Sequence, residues 1–159
     1  MRSTRSCRTI RARRPDVYRA LLDPARVARW RVPLGMTAVV HEFDPRENGR
    51  FRVTFTEDAV GTAGTSGARI DTYHGRFVEL VPDRSVVEVV EFETPDPELQ
   101  GEMTVTTVLS DRGDGTDVIM VFERVPPGVA LADNEARTAI ALDQLAAIVE
   151  DDSSGDDGT

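Results

Sequence analysis

Arg14-Pro15-Asp16-Val17-Tyr18-Arg19-Ala20-Leu21-Leu22-Asp23-Pro24-Ala25-Arg26-Val27-Ala28-Arg29-Trp30 is the stretch on which the reading of this chain turns. Pro15 suits the first turn of a helix, where its missing N–H is no loss. Asp16 then sets a negative charge at the positive end of the helix dipole. Val17, Ala20 and Leu21 share one face at i, i+3, i+4 spacing. Asp23-Pro24 ends this helix and opens a second, with Asp23 as N-cap and Pro24 at the first helical position. Val27, Ala28 and Trp30 form its apolar side, and Pro33 and Gly35 stop it.

Working outward, Cys7 to Ile10 reads as a strand before the two helices, and strands dominate after them. Thr37 to Phe43 is followed by the turn Asp44-Pro45-Arg46-Glu47-Asn48-Gly49, whose Asn-Gly pair suits positive φ. Arg50 to Thr56 alternates, with Phe51, Val53 and Phe55 on one side. Asp58 to Gly67 is a loop rich in Gly, Ala, Thr and Ser. Arg69 to Leu80 is a strand with a bulge expected at Gly75. Ser85 to Glu93 is the next strand, and Glu102 to Leu109 with Thr116 to Arg124 makes a hairpin. A helix from Leu131 to Val149 carries Leu131, Glu135, Thr138, Leu142, Leu145 and Val149 near one stripe, widened by Ala139 and Ala146. An antiparallel sheet needs its apolar face covered, and this helix is the long cover available. The expected fold is therefore α+β. Six or seven strands curve around the C-terminal helix in a helix-grip arrangement, with two short helices after the first strand. Residues 1–150 make one domain, and 151–159 an acidic tail expected to be disordered.

The chain has 159 residues and a net charge of −9, which fits one core and argues against nucleic acid as the partner. All 19 basic residues are arginine, a coding bias that suggests a GC-rich bacterial genome. No apolar run is long enough for a membrane span, and the arginine-rich start lacks the apolar stretch of a secretory signal, so the cytoplasm is the expected location. The single cysteine, Cys7, excludes a disulfide within the chain. It reads as a half-buried strand residue.

Four patches resemble the SRPBCC, or START-like, superfamily, and within it bacterial homologues of the C-terminal domain of the activator of the heat-shock protein 90 ATPase. They are Arg14-Pro15-Asp16-Val17-Tyr18 with Asp23-Pro24 to Trp30, the turn Asp44 to Phe51, the strand Gly75 to Pro82, and the hairpin Gly113-Asp114-Gly115-Thr116. Many relatives carry glycine-tryptophan where this chain has Arg137-Thr138, and that tryptophan usually covers one end of a cavity. The resemblance implies a domain that encloses a small hydrophobic or lipid-like molecule between sheet and helix. The superfamily also contains polyketide cyclases and aromatases. It implies a co-chaperone role as a third reading, although the eukaryotic activator uses an additional domain for that.

The candidate ligand-binding residues are Trp30 at the lip of the groove, then Phe51, Phe55, Tyr73, Phe77, Phe92, Met103, Met120 and Phe122 from the strands and Leu142 from the helix. Aromatics and methionines suit adaptable apolar cavities, and the same set would equally make a packed core. His41 shares parity with Phe43 and is expected to face inward. Glu88 shares parity with Val86, Val90 and Phe92, and is either an acid or base in the groove or an ion-pair partner of Arg52 or Arg76. A cyclase-like enzyme would need His41, Tyr73 and Glu88 to converge. His41 and His74 lack metal-ligand spacing, no phosphate-binding or nucleophile motif is present, and neither a cofactor, a metal nor a catalytic residue is assigned. Ile119 and Val121, opposite Val118, Met120 and Phe122, are read as an exposed apolar pair that could support a homodimer.

Overall fold

The computed structural model describes residues 1–57 and 70–156; 58–69 and 157–159 lie outside the described residues, as do the side chains of Ile70 and 152–156. The loop expected over Asp58 to Gly67 falls in that excluded range. The elements are β1 (Ser3–Ile10), α1 (Arg14–Leu21), α2 (Pro24–Trp30), β2 (Met36–Phe43), β3 (Arg50–Glu57), β4 (Ile70–Val81), β5 (Ser85–Phe92), β6 (Met103–Arg112), β7 (Gly115–Glu123) and α3 (Leu131–Asp156). The strands form one curved antiparallel sheet in the order β1-β7-β6-β5-β4-β3-β2, so the first strand closes against the last. The helix-grip architecture expected from the pattern is present, with seven strands. No helix of the described residues is long and apolar enough to cross a membrane.

The two small helices form as their prolines dictate. Asp23 caps α2 by accepting from the Ala25 N–H at 3.0 Å, which satisfies one of the donors a helix start leaves open. The Trp30 indole Nε1–H donates to the Ala20 carbonyl at 3.0 Å and binds α2 to the end of α1. Gln144 on α3 donates its Nε2–H groups to the Trp30 and Val32 carbonyls, both at 2.9 Å. One side chain thus satisfies two carbonyls at the C-terminal end of α2 and pins that end to the long helix.

The core lies between sheet and α3. Phe51 and Phe77 are buried with Phe43 beside them, the Phe43–Phe77 rings meeting edge-on at 5.5 Å and Phe51–Phe77 at 5.1 Å. Such ring pairs add roughly 0.5–1.5 kcal/mol beyond their buried area. Gly75 makes this packing possible. A Cβ there would lie 2.0 Å from the Val89 carbonyl and 2.7 Å from the Phe51 ring. Gly75 is therefore a close-approach residue, not the bulge expected from sequence. The register shift in β4 falls between Phe77 and Glu79. The Asp44–Gly49 turn is held to β4 from both sides, the Asn48 N–H donating to the Phe77 carbonyl and the Phe77 N–H to the Gly49 carbonyl. Asn48 has φ 66°, as its place in the turn requires.

Several faces differ from expectation. β1 begins at Ser3, earlier than Cys7. Thr4 and Ile10 are buried on its inner side, and Cys7, one step out of phase, is exposed instead of half-buried. Ile119 and Val121 are half-buried rather than exposed, since β7 has β1 and β6 on its two sides. On α3, Thr138, Leu142, Leu145, Ala146, Ile148 and Val149 are buried, whereas Ala139 and Glu135 face out. The α3 backbone is helical to Asp156, through the first part of the acidic tail.

Candidate functional site

Glu88 lies on the inner face of β5, and Arg31 follows directly on α2. Arg31 donates Nη1–H to Oε1 and Nη2–H to Oε2 of Glu88, at 2.8 and 2.9 Å. The two side chains are 15% and 6% exposed, respectively. This is the fork-on-fork geometry that makes an arginine–carboxylate pair directional. The Arg31 guanidinium also sits 5.3 Å from the Trp30 ring centroid, a cation–π distance. Burial would lower the Arg31 pKa, but the Glu88 carboxylate and the Tyr73 phenol together outweigh it and hold the guanidinium above its usual value. Glu88 is thus both inward-facing and ion-paired, with an arginine the sequence reading did not consider. Arg52 and Arg76 pair elsewhere, with Glu93 and Glu102.

Tyr73 on β4 completes the group. Its ring touches Phe55 and Phe51, with centroids at 5.4 and 6.1 Å. Its hydroxyl is buried and has no hydrogen-bond partner. Burial pushes the phenol up to about 12; Arg31 opposes this and Glu88 adds to it. A buried polar atom without a partner costs stability, and a buried ion pair contributes little on balance. Their co-location is therefore poorly explained by stability and makes this corner the candidate site.

The corner opens into a cavity of about 140 Å³ between sheet and α3. Phe55, Tyr73, Phe92, Met103, Met120 and Phe122 line it, together with Val90 and Val105. From the helix come Asn134, Arg137, Thr138 and Ala141, with Arg31 and Pro33 from the end of α2 and Asp71 from β4. The groove is thus neither fully packed nor wide. Of the residues expected to line it, Trp30, Phe51, Phe77 and Leu142 do not: each is fully buried and belongs to the core. Trp30 in particular is buried and bonded to the Ala20 carbonyl of α1 rather than standing at the lip. Arg137 and Thr138 stand on the wall.

His41 is not in this site. It is exposed and bonded through Nε2 to the Thr54 hydroxyl at 2.7 Å, on the outer face of the sheet. The register shift between Val40 and Glu42 explains this. One extra residue puts Ala38, Val40 and Phe43 all on the core side and turns His41 outward. The convergence of His41, Tyr73 and Glu88 that a cyclase-like site would need is therefore not met. A larger outer hollow, about 400 Å³, passes over Gly75. Within it Arg52 and His74 both reach Glu93, whose carboxyl is held below the usual range chiefly by the Arg52 hydrogen bonds. Among the described residues no three His, Cys, Asp or Glu side chains gather as metal ligands would.

Arg31 is the candidate-site residue that the sequence alone did not reveal. Its signal was a demand rather than a motif: an inward Glu88 needs a cation, and Arg31 is the first residue past the capping helix.

Residues 11–150 match the family described as activator of Hsp90 ATPase homolog 1-like protein. A solved protein from Chromobacterium violaceum is similar at 29% identity and TM-score 0.83, over 94% of this chain and 99% of that one. Proteins from Rhodobacter sphaeroides (20% identity, TM-score 0.77, 93% of this chain and 91% of that one) and Arthrobacter aurescens (16%, 0.79, 94% and 86%) share the fold. No curated protein matches the sequence.

Proposed function

The chain belongs to the family of activator of Hsp90 ATPase homolog 1-like proteins, and from that premise we propose that it is a binding domain enclosing a small, mostly apolar molecule between its sheet and α3. The cavity carries this reading. It is apolar along the walls made by Phe55, Phe92, Met103, Met120 and Phe122, with a few polar groups from Arg31, Tyr73, Asp71 and the α3 residues Asn134, Arg137 and Thr138, the composition typical of small-molecule sites. Its volume, about 140 Å³, sets the scale of the occupant: an apolar void of about 150 Å³ admits benzene. The enclosed part of the ligand is then about one ring in size, and anything longer extends past the rim at Arg137.

Thermal denaturation in the presence of one-ring aromatic compounds tests the reading. A ligand at about 100 times its Kd stabilises the folded state by about 2.7 kcal/mol, an upward shift in Tm of several degrees. Native mass spectrometry of the purified protein provides an independent check for a retained small molecule. A protein that carries no such molecule and shows no shift with any of these compounds does not bind in this cavity.

A further inference from the structure

We infer that the Arg31–Tyr73 corner is a subsite for a neutral carbonyl oxygen, so that the cavity selects a one-ring aryl ketone, aldehyde or ester over a hydrocarbon or a carboxylate. This rests on the cavity being the ligand site.

The donors come first. Tyr73 is 6% exposed, lines the cavity, and has a hydroxyl with no partner. Arg31 lines the same cavity and commits two hydrogen bonds to Glu88. A guanidinium has five N–H groups, so it retains donors beyond that pair. The Tyr73 O–H, with no partner, and the Arg31 guanidinium next to it stand on the wall of the same cavity and together fit a single oxygen that accepts hydrogen bonds, as a carbonyl does.

Charge then decides between acceptors. Arg31 and Glu88 neutralise each other within 2.9 Å. A ligand carboxylate would bring a second buried negative charge beside Glu88 without a second buried cation, because Arg137 is exposed. Removing an unpaired charge from water is far more costly than removing a neutral dipole. A hydrocarbon avoids that cost but leaves the Tyr73 hydroxyl unsatisfied. A neutral carbonyl meets both conditions. Burial keeps the phenol protonated across the physiological range, which preserves its O–H as a donor.

Three probes of similar shape separate the possibilities: acetophenone, ethylbenzene and benzoate, titrated calorimetrically into the wild-type protein and into Tyr73→Phe. Acetophenone is expected to bind wild type about tenfold more tightly than ethylbenzene, the effect of one or two added hydrogen bonds, with benzoate no tighter than ethylbenzene. Tyr73→Phe should erase most of the acetophenone advantage and leave ethylbenzene unchanged. Equal affinity for acetophenone and ethylbenzene in wild type overturns the subsite while leaving the cavity as a ligand site. The same holds if the advantage survives intact in Tyr73→Phe. Benzoate as the tightest probe overturns the preference for a neutral group. If none of the three binds, the cavity reading fails and the subsite with it. The wild-type comparison does not depend on the variant folding, and circular dichroism of Tyr73→Phe confirms that the substitution leaves the fold intact.

Discussion

Tyr73 holds a hydroxyl that the folded protein leaves without a partner, and this makes its removal unusually mild. Tyr73→Phe is expected to leave stability unchanged or raise it by up to about 1 kcal/mol, because the desolvation of an unmade hydrogen bond disappears with the oxygen. Urea denaturation measures this. The pH dependence has a definite sign. The folded phenol titrates at about 12, above the usual value of about 10, so the unfolded chain loses its proton first. The stability this group contributes is complete below pH 10 and is lost as the pH rises from there to about 12. Wild type should show that decline and Tyr73→Phe should lack this contribution. Glu88 behaves in the opposite way to Tyr73 when removed. Glu88→Gln leaves the Arg31 charge buried without its counter-charge and is expected to cost about 3–5 kcal/mol, whereas Arg31→Met combined with Glu88→Leu recovers most of it; equal losses in the single and double variants would contradict this. Parity along β5 was enough to place Glu88 inside, because that strand runs without a bulge through Glu88. Parity failed for His41, where one inserted residue reversed the count.

The elements show why the site stands where it does. α2 delivers Arg31 at its C-terminal end, and that end is fixed by the Trp30 indole on one side and Gln144 on the other. Gln144→Ala removes two hydrogen bonds to the Trp30 and Val32 carbonyls, at an expected cost of about 1–3 kcal/mol. Hydrogen exchange should be faster at the amides following α2, with β6 and β7 unaffected; uniform protection would show that the contact does not position this segment. Both short helices were legible from Pro15, Asp23 and Pro24, since proline and a capping carboxylate act through local backbone geometry. The phase of α3 was legible only in part. Ala139 fits the apolar stripe by composition but faces out, and Ile148 is buried in its place, because alanine is too small for its position on the stripe to be decided before the partner surface exists.

For the molecule as a whole, the balance is between filling the space under α3 and leaving it open. Phe51 and Phe77 pack against each other and Leu142 is buried, whereas the cavity leaves space between the sheet and α3. Ala141 stands on the helix wall of that cavity. Ala141→Leu is expected to occupy part of it, lowering the affinity for one-ring probes at least about tenfold while stability changes by less than about 1.5 kcal/mol. A loss of stability well beyond that range, with binding retained, would show the space at Ala141 to be closed.

The sequence by itself determined the order of strand, two helices, sheet and long helix, and the antiparallel α+β class. These follow from periodicity, proline positions and turn residues, all of which act over a few neighbouring residues. It also placed Tyr73, Phe55, Phe92, Met103, Met120 and Phe122 on the inner face, since alternation is a local property. Only the tertiary structure decided which of the inward residues became wall and which became core. The same holds for the pairing of Glu88 with Arg31, 57 residues away in sequence, and for the Tyr73 hydroxyl left unpartnered. Those outcomes depend on the distance between surfaces that meet only when the sheet closes on α3, and no local pattern encodes that distance.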